Sequence, residues 1–356
     1  MPTREYKELH EFRLVVEYLD VARDLILANT EAKARMALVL LDNAAEVILY
    51  RLSSETLSWD DFGRWVRPER FSHAKRREID RLFPAKLELL EQEHSITGET
   101  SEVLRILHLY RNVAFHRDTH NPAVISVLAR IGFKAVADLF VQTRAGIGLS
   151  GMGVFNNAGE WLSAYGLSDT YVDFGKAAIK IAAQLTVGAE PNLCEVQVEL
   201  TRDLHERAAA LRRLVNGQLP WKSSVQLNLI LKWYEFKDAE PKLEDQLSEP
   251  FRSLRYRIAA GEAVDVSREK LSSLEQQFHD RYEARLEAYE QRIRYEDLED
   301  VDAKASQIQL KATLGNILSL YSELDAQLST LEKYLDFASE EWDRAVQHEI
   351  DVRRGK

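Results

Sequence analysis

The sequence predicts an all-α protein: an N-terminal helical bundle followed by a helical extension that ends in a long antiparallel coiled-coil hairpin. Three observations carry this expectation. Apolar residues recur at three- and four-residue spacing over most of the chain, only 15 Gly and 8 Pro punctuate its 356 residues, and a heptad series runs near the C-terminus.

Taken in order, Phe12, Val15, Val16, Leu19 and Ile26 define an opening helix. From Thr30, a good N-cap, the run TEAKARMALVLLDNAAEVILYRL contains no Gly or Pro and is apolar on most faces, which predicts a core helix. Pro68 and Pro84 divide the region between Leu57 and Leu87 into shorter pieces. Leu104, Ile106 and Leu107 face inward on a helix from Val103 to about His116, and Pro122 starts another that runs through Val141. These elements form one compact domain, residues 1–145.

The glycine-rich run GIGLSGMG, Gly146 to Gly153, marks a linker over 146–160. Gly146, Gly148 and Gly151 spell G-x-G-x-x-G, but a dinucleotide-binding loop follows a strand and opens a helix, and this run follows a helix. A helical middle region, 161–245, comes next, with helices near 168–187, 193–216 and 224–237. In the last region, 246–356, Leu310, Leu314, Ile317, Tyr321, Leu324, Leu328, Leu331 and Leu335 alternate steps of four and three. A looser stripe from Leu271 to Ile293 precedes this seam, and DLEDVDAK, residues 297–304, is the expected turn between two arms. The seam pairs either with the chain itself or with a second protomer.

With 45% apolar and 29% charged residues, the composition excludes disordered, collagen-like and low-complexity classes. Cys194 is the single cysteine, which excludes an internal disulfide and Cys-based zinc modules. The N-terminus MPTREYKELHEFR carries charge where a signal peptide needs an apolar core, and no run approaches a membrane span, so a cytoplasmic protein is expected. The net charge of −11 is unevenly spread: residues 1–150 carry 21 basic and 22 acidic side chains, residues 151–356 carry 26 and 36. The acidic excess reads as solvated helix faces, with an acidic binding surface as the lesser alternative. A nearly neutral N-terminal domain leaves nucleic acid open as a ligand.

Chemistry concentrates in LHLYRNVAFHRDTH, residues 107–120. Arg111 and His116 stand at R-x4-H spacing with Asn112 beside the arginine, and on a helix Asn112 and His116 share a face. A histidine can shuttle a proton at a ribose 2′-hydroxyl or a leaving 5′-oxygen, and an arginine fork can hold a phosphate, with no metal involved. The bare spacing is not selective, since Arg4 with His10 and Arg67 with His73 are similarly placed. What sets this pair apart is its place at the end of an apolar helix, downstream of a core helix bearing Asp42, Asn43 and Glu46.

In RNVAFH and LVLLDNAAEVIL the segment resembles the HEPN superfamily, helical-bundle domains of which many are RNases marked by R-x4 to 6-H, over residues 10–145. The resemblance implies a homodimer with two motifs across one cleft, His116 as acid/base, Arg111 on the scissile phosphate and Asn112 orienting one of them. It further implies metal-independent RNA cleavage leaving a 2′,3′-cyclic phosphate, no cofactor, and use as a toxin or abortive-infection effector in antiphage defence, with a cognate antitoxin or defence partner. Against each residue stands a structural reading. His116 suits a helix end by the dipole, and Arg111 could pair with Asp42 or Glu46, whose carboxylates otherwise face the dimer cleft. A non-catalytic HEPN-like dimerisation or nucleotide-binding module, its coiled-coil arm a scaffold for a partner, is the alternative for the whole chain.

Arg64, Arg67, Lys75, Arg76 and Arg77, with Trp65 and Phe71 between them, form a basic and aromatic stretch that suits RNA, as does Arg117 beside the motif. A solvated basic surface with its aromatics turned inward accounts for the same residues. The histidines show no H-x3-H or HExxH pattern, so no metal is assigned.

Overall fold

The computed structural model describes residues 4–63, 70–116, 122–143, 153–154, 163–166, 171–172, 174–217, 219, 224–240 and 268–353. These are helical almost throughout. The exceptions are turns and a two-residue antiparallel bridge, β1 (Gly153–Val154) with β2 (Tyr171–Val172), in which Gly153 pairs with Val172. The chain divides into two compact units, Met1–Asp203 with Gln307–Ser322, and Leu204–Ser306 with Glu323–Lys356.

The first unit opens with α1 (Arg4–Leu27) and α2 (Glu31–Gly63). Phe12, Val15, Val16, Leu19, Ala22 and Ile26 are all buried, the face that their spacing predicts. Asn29 joins the two helices at φ +50°, a left-handed conformation that asparagine tolerates better than most residues. After α2 come α3 (His73–Arg81), α4 (Phe83–Gln92), α5 (Gly98–His116) and α6 (Pro122–Gln142). Each start has a local cause. Ser72 caps α3 by accepting from the Lys75 N–H at 3.2 Å, Pro84 lies in the first turn of α4 where its missing N–H has no partner to lose, and Thr97 accepts from the Thr100 N–H at 3.1 Å.

Helix α6 is the apolar centre of this unit, burying Val124, Ile125, Leu128, Ile131, Phe133, Val136, Leu139 and Phe140. A side-chain carbon at Gly132 would stand 3.4 Å from Leu41 and 3.6 Å from Leu107, so the glycine lets α6 approach α2 and α5 together. Helix α7 (Phe174–Leu185) follows, and α8 (Leu193–Gly217) and α12 (Leu314–Arg353) each pass from one unit into the other. In the first unit, the Gly315 N–H donates to Glu99 at the start of α5, and the buried Tyr321 hydroxyl donates to Asp203 at 2.8 Å.

The second unit holds the rest of α8, α9 (Ser224–Ala239), α10 (Arg268–Ala288), α11 (Asp297–Ala305) and the rest of α12. The heptad seam is buried within the single chain: Ile317, Tyr321, Leu324, Leu328 and Leu335 have no accessible surface. Its first member, Leu310, lies outside the helix and is exposed. In this unit α12 meets α9 through Tyr334 and Phe337 against Tyr234, while Tyr282 of α10 and Tyr289 just after it reach Phe236 of α9. Helix α9 therefore makes ring contacts with α12 and with the looser stripe that ends at Ile293. The segment DLEDVDAK is helix α11 rather than a turn. Leu298, Val301 and Ala305 give it a buried face, while its acidic first turn and Lys304 in its last suit the helix dipole.

Arg207 anchors α8 to α12 in this unit. It donates to both carboxylate oxygens of Glu332 at 2.8 Å and to Asp325 at 2.5 Å, and its side chain is mostly buried. Replacing it with Ala leaves two carboxylates without their cation, so Arg207→Ala should destabilise the protein by about 3 to 5 kcal/mol in urea unfolding. Arg207→Lys should restore only part of this, because an ammonium cannot make the two-pronged contact.

Asp302 supplies a pH test. Burial raises its carboxyl, but hydrogen bonds from His205 and Arg212 outweigh that and hold it below the usual carboxylate value. Its contribution is thus present above the ordinary carboxylate range and lost as pH falls through the depressed folded value. In acid unfolding followed by circular dichroism, Asp302→Asn should flatten the pH dependence below about pH 4; an unchanged slope would contradict this.

Candidate functional site

Helices α2, α4 and α5 bring together a polar cluster around Asp42. Asp42 lies on α2, one turn after Leu38 and next to Leu41, and is 8% exposed. A carboxylate this deep needs partners. Its Oδ1 lies 2.8 Å from His108 Nδ1, and its Oδ2 lies 3.3 Å from Arg111 Nε, an ion pair whose angle falls outside a hydrogen bond. Both partners come from α5, three residues apart and so on one side of that helix. Below Asp42 a void of about 10 Å³, lined by Leu38, Leu41, Ala45, Phe83 and Leu104, has room for one water at most.

Phe83, the first residue of α4, stacks on the His108 ring with centroids 4.2 Å apart and planes 3° from parallel. The ring is held on one face by Phe83 and at one nitrogen by Asp42, and the side chain keeps 22% exposure. Arg111 donates from Nη1 to Asn112 Oδ1 at 2.8 Å and is 31% exposed. Its guanidinium is thus fixed by its neighbours and still reachable from solvent.

Of the residues expected from the sequence, Asp42, Arg111 and Asn112 come together. Asp42 is the partner of Arg111, and Glu46, one turn further along α2, stays half-exposed with no ion pair to the arginine. His116 is the last residue of α5, and its side chain lies outside the described residues, as do Arg64, Arg67 and Arg117. The cluster also contains His108 and Phe83, which no motif marked. Three-residue spacing to Arg111 was visible, but only the packing of α2 and α4 shows what the ring meets.

The basic stretch divides. Arg76 points inward: it pairs with the buried Asp60 at 2.5 Å and Asp61 at 3.1 Å, and donates to the Phe71 carbonyl at 3.2 Å. Lys75 lies between Glu88 and Glu78 at 3.2 and 3.3 Å, while Arg77 is exposed and, among the described residues, donates only to the His73 carbonyl, at 3.4 Å. A surface cleft of about 650 Å³ runs past His73, Arg76, Arg77 and Asp80. A wider cleft of about 1050 Å³ is lined by Glu88, Glu91, His94, Thr97, Arg105 and Gln142, away from the Asp42 cluster. Its two carboxylates make it a poor host for phosphate.

Among the described residues, no three His, Cys, Asp or Glu side chains gather to hold a metal ion, and no helix is long and apolar enough to cross a membrane. Comparison with protein-family models, curated proteins and solved structures finds no match to this chain.

The two neighbouring arginines of α3 should separate cleanly. Arg76→Ala strands the carboxylate of Asp60, whose side chain is 1% exposed, and should cost about 3 to 5 kcal/mol in chemical unfolding. Arg77→Ala should change stability by less than about 0.5 kcal/mol. Equal losses from both would show that Arg76 has no special structural role.

Proposed function

We propose that the chain is a metal-independent endoribonuclease of the HEPN type, acting as a toxin or abortive-infection effector in bacterial antiphage defence. The reading rests on one observation above all. Arg111 is fixed at Nε by a buried carboxylate and at Nη1 by Asn112, yet stays partly open to solvent, five residues ahead of His116 on the same helix. A guanidinium held in this way binds a phosphodiester without first giving up its own conformational freedom, which is the preorganisation that charge stabilisation in a transition state requires.

In this reading Arg111 holds the scissile phosphate and stabilises its charge, Asn112 orients Arg111, and His116 moves a proton at the ribose or at the departing oxygen. Asp42 supports Arg111 from behind, and Arg77 on α3 offers an exposed cation for flanking phosphates. The active species is a homodimer with two R-x4-H motifs across one cleft, kept silent by a cognate antitoxin or defence partner.

A second reading draws on the same Arg111–Asp42 pair: if that pair only ties α5 to α2, the domain is a non-catalytic HEPN-like module for dimerisation or nucleotide binding. Arg111→Ala would then alter assembly size in light scattering, with no RNA cleavage by any form of the protein.

Purified protein should cut single-stranded RNA in the presence of a chelator and leave 2′,3′-cyclic phosphate and 5′-hydroxyl ends. His116→Ala should lower the rate about 10²- to 10⁴-fold. Unimpaired cutting by that variant would refute the assignment.

A further inference from the structure

His108 has no part in the function proposed above, yet it is the most tightly positioned titratable group in the cluster. Its Nδ1 lies 2.8 Å from Oδ1 of the buried Asp42, and its ring lies flat on Phe83. A carboxylate at Nδ1 keeps a proton on that nitrogen and leaves Nε2 as the basic one, with the ring orientation fixed. The side chain keeps 22% exposure, so it is not closed off from solvent. With one face on Phe83 and Nδ1 on Asp42, Nε2 is the ring nitrogen with no hydrogen-bond partner among the described residues. Asp42 also carries Arg111 on its other oxygen, so one carboxylate sets both a base and an anion-binding fork.

We propose that His108 is a second acid/base residue of this site, its Nε2 contacting the ribose 2′-hydroxyl of the substrate. The proposal rests on the endoribonuclease reading and gives it a division of labour. His108 Nε2 takes the 2′-hydroxyl proton as the 2′-oxygen forms its bond to phosphorus. The bond from phosphorus to the 5′-oxygen breaks, and that oxygen leaves with a proton from protonated His116. The products are a 2′,3′-cyclic phosphate and a 5′-hydroxyl, and exchange with water resets both imidazoles. Arg111 balances the negative charge on the phosphate throughout.

The discriminating substitution is His108→Asn. The asparagine amide can place an N–H near the position of Nδ1, which preserves the bond to Asp42, but it has nothing at Nε2. If Nε2 does chemistry, kcat should fall about 10²- to 10⁴-fold with KM little changed. If His108 only positions Asp42 and Arg111, the variant should stay within about threefold of wild type, and the proposal is overturned. Wild-type protein that cuts no RNA would instead defeat the endoribonuclease reading, and this proposal with it. Should the variant not fold, nitrogen-15 NMR of labelled histidine in the intact wild-type chain gives a separate test. A proton on Nδ1 with a bare Nε2 is required, and the opposite tautomer rules His108 out as the base.

Discussion

The arrangement of α2, α4 and α5 depends on the carboxylate of Asp42. A carboxyl group inside a helical core needs polar partners, and Asp42 has a hydrogen bond with His108 and an ion pair with Arg111, both on α5. Because His108 and Arg111 lie one turn apart, meeting one carboxylate with both fixes the rotation and the axial register of α5 against α2. Phe83 adds the third helix by stacking on the same imidazole. Apolar packing alone would let these helices slide by a turn at small cost; a buried carboxylate with one directed hydrogen bond and one ion pair does not. The same contacts that hold the bundle in register thus leave an arginine and a histidine oriented at its surface.

Elsewhere the structure solves similar problems in the same way, within each unit. Asp60 at the end of α2 is buried against Arg76 of α3 and accepts from the Arg70 N–H, which joins a short basic helix to the core. In the second unit Arg207 meets Glu332, Asp325 and Ser329 on successive turns of α12, and Glu235 of α9 accepts from the backbone N–H groups of Arg292 and Ile293. Long amphipathic helices offer many near-equivalent packings. Buried polar contacts select among them, a role better attested for such groups than raw stabilisation.

The helices themselves were legible in the sequence, because three- and four-residue spacing of Phe12, Val15, Val16 and Leu19, or of Leu324, Leu328 and Leu331, has one regular solution. Their partners were less so. The seam on α12 reads as half of a coiled coil, yet in the second unit the helix is tied to α8 and α9 by residues off the seam, Glu332 to Arg207 and Tyr334 to Tyr234. DLEDVDAK reads as a turn by its polarity, but three apolar residues at helical spacing suffice to bury one face. In the site, Arg111 and Asp42 could be paired on paper as one of two options. His108 could not be singled out, since nothing local distinguishes it from the other histidines until Phe83 and Asp42 are brought to it. The basic stretch likewise looks uniform in the sequence, although Arg76 faces inward and Arg77 outward.

The most direct test of this account is a double-mutant cycle between Asp42 and His108, read by urea unfolding of the full chain. Asp42→Asn, His108→Phe and the double variant are compared with wild type. If the carboxylate and the imidazole form one structural unit, the two single losses should exceed the double loss, with a coupling of about 1 to 3 kcal/mol. Strictly additive effects, within about 0.5 kcal/mol, would show that Asp42 and His108 are independent and would contradict the claim that this contact sets the register of α5.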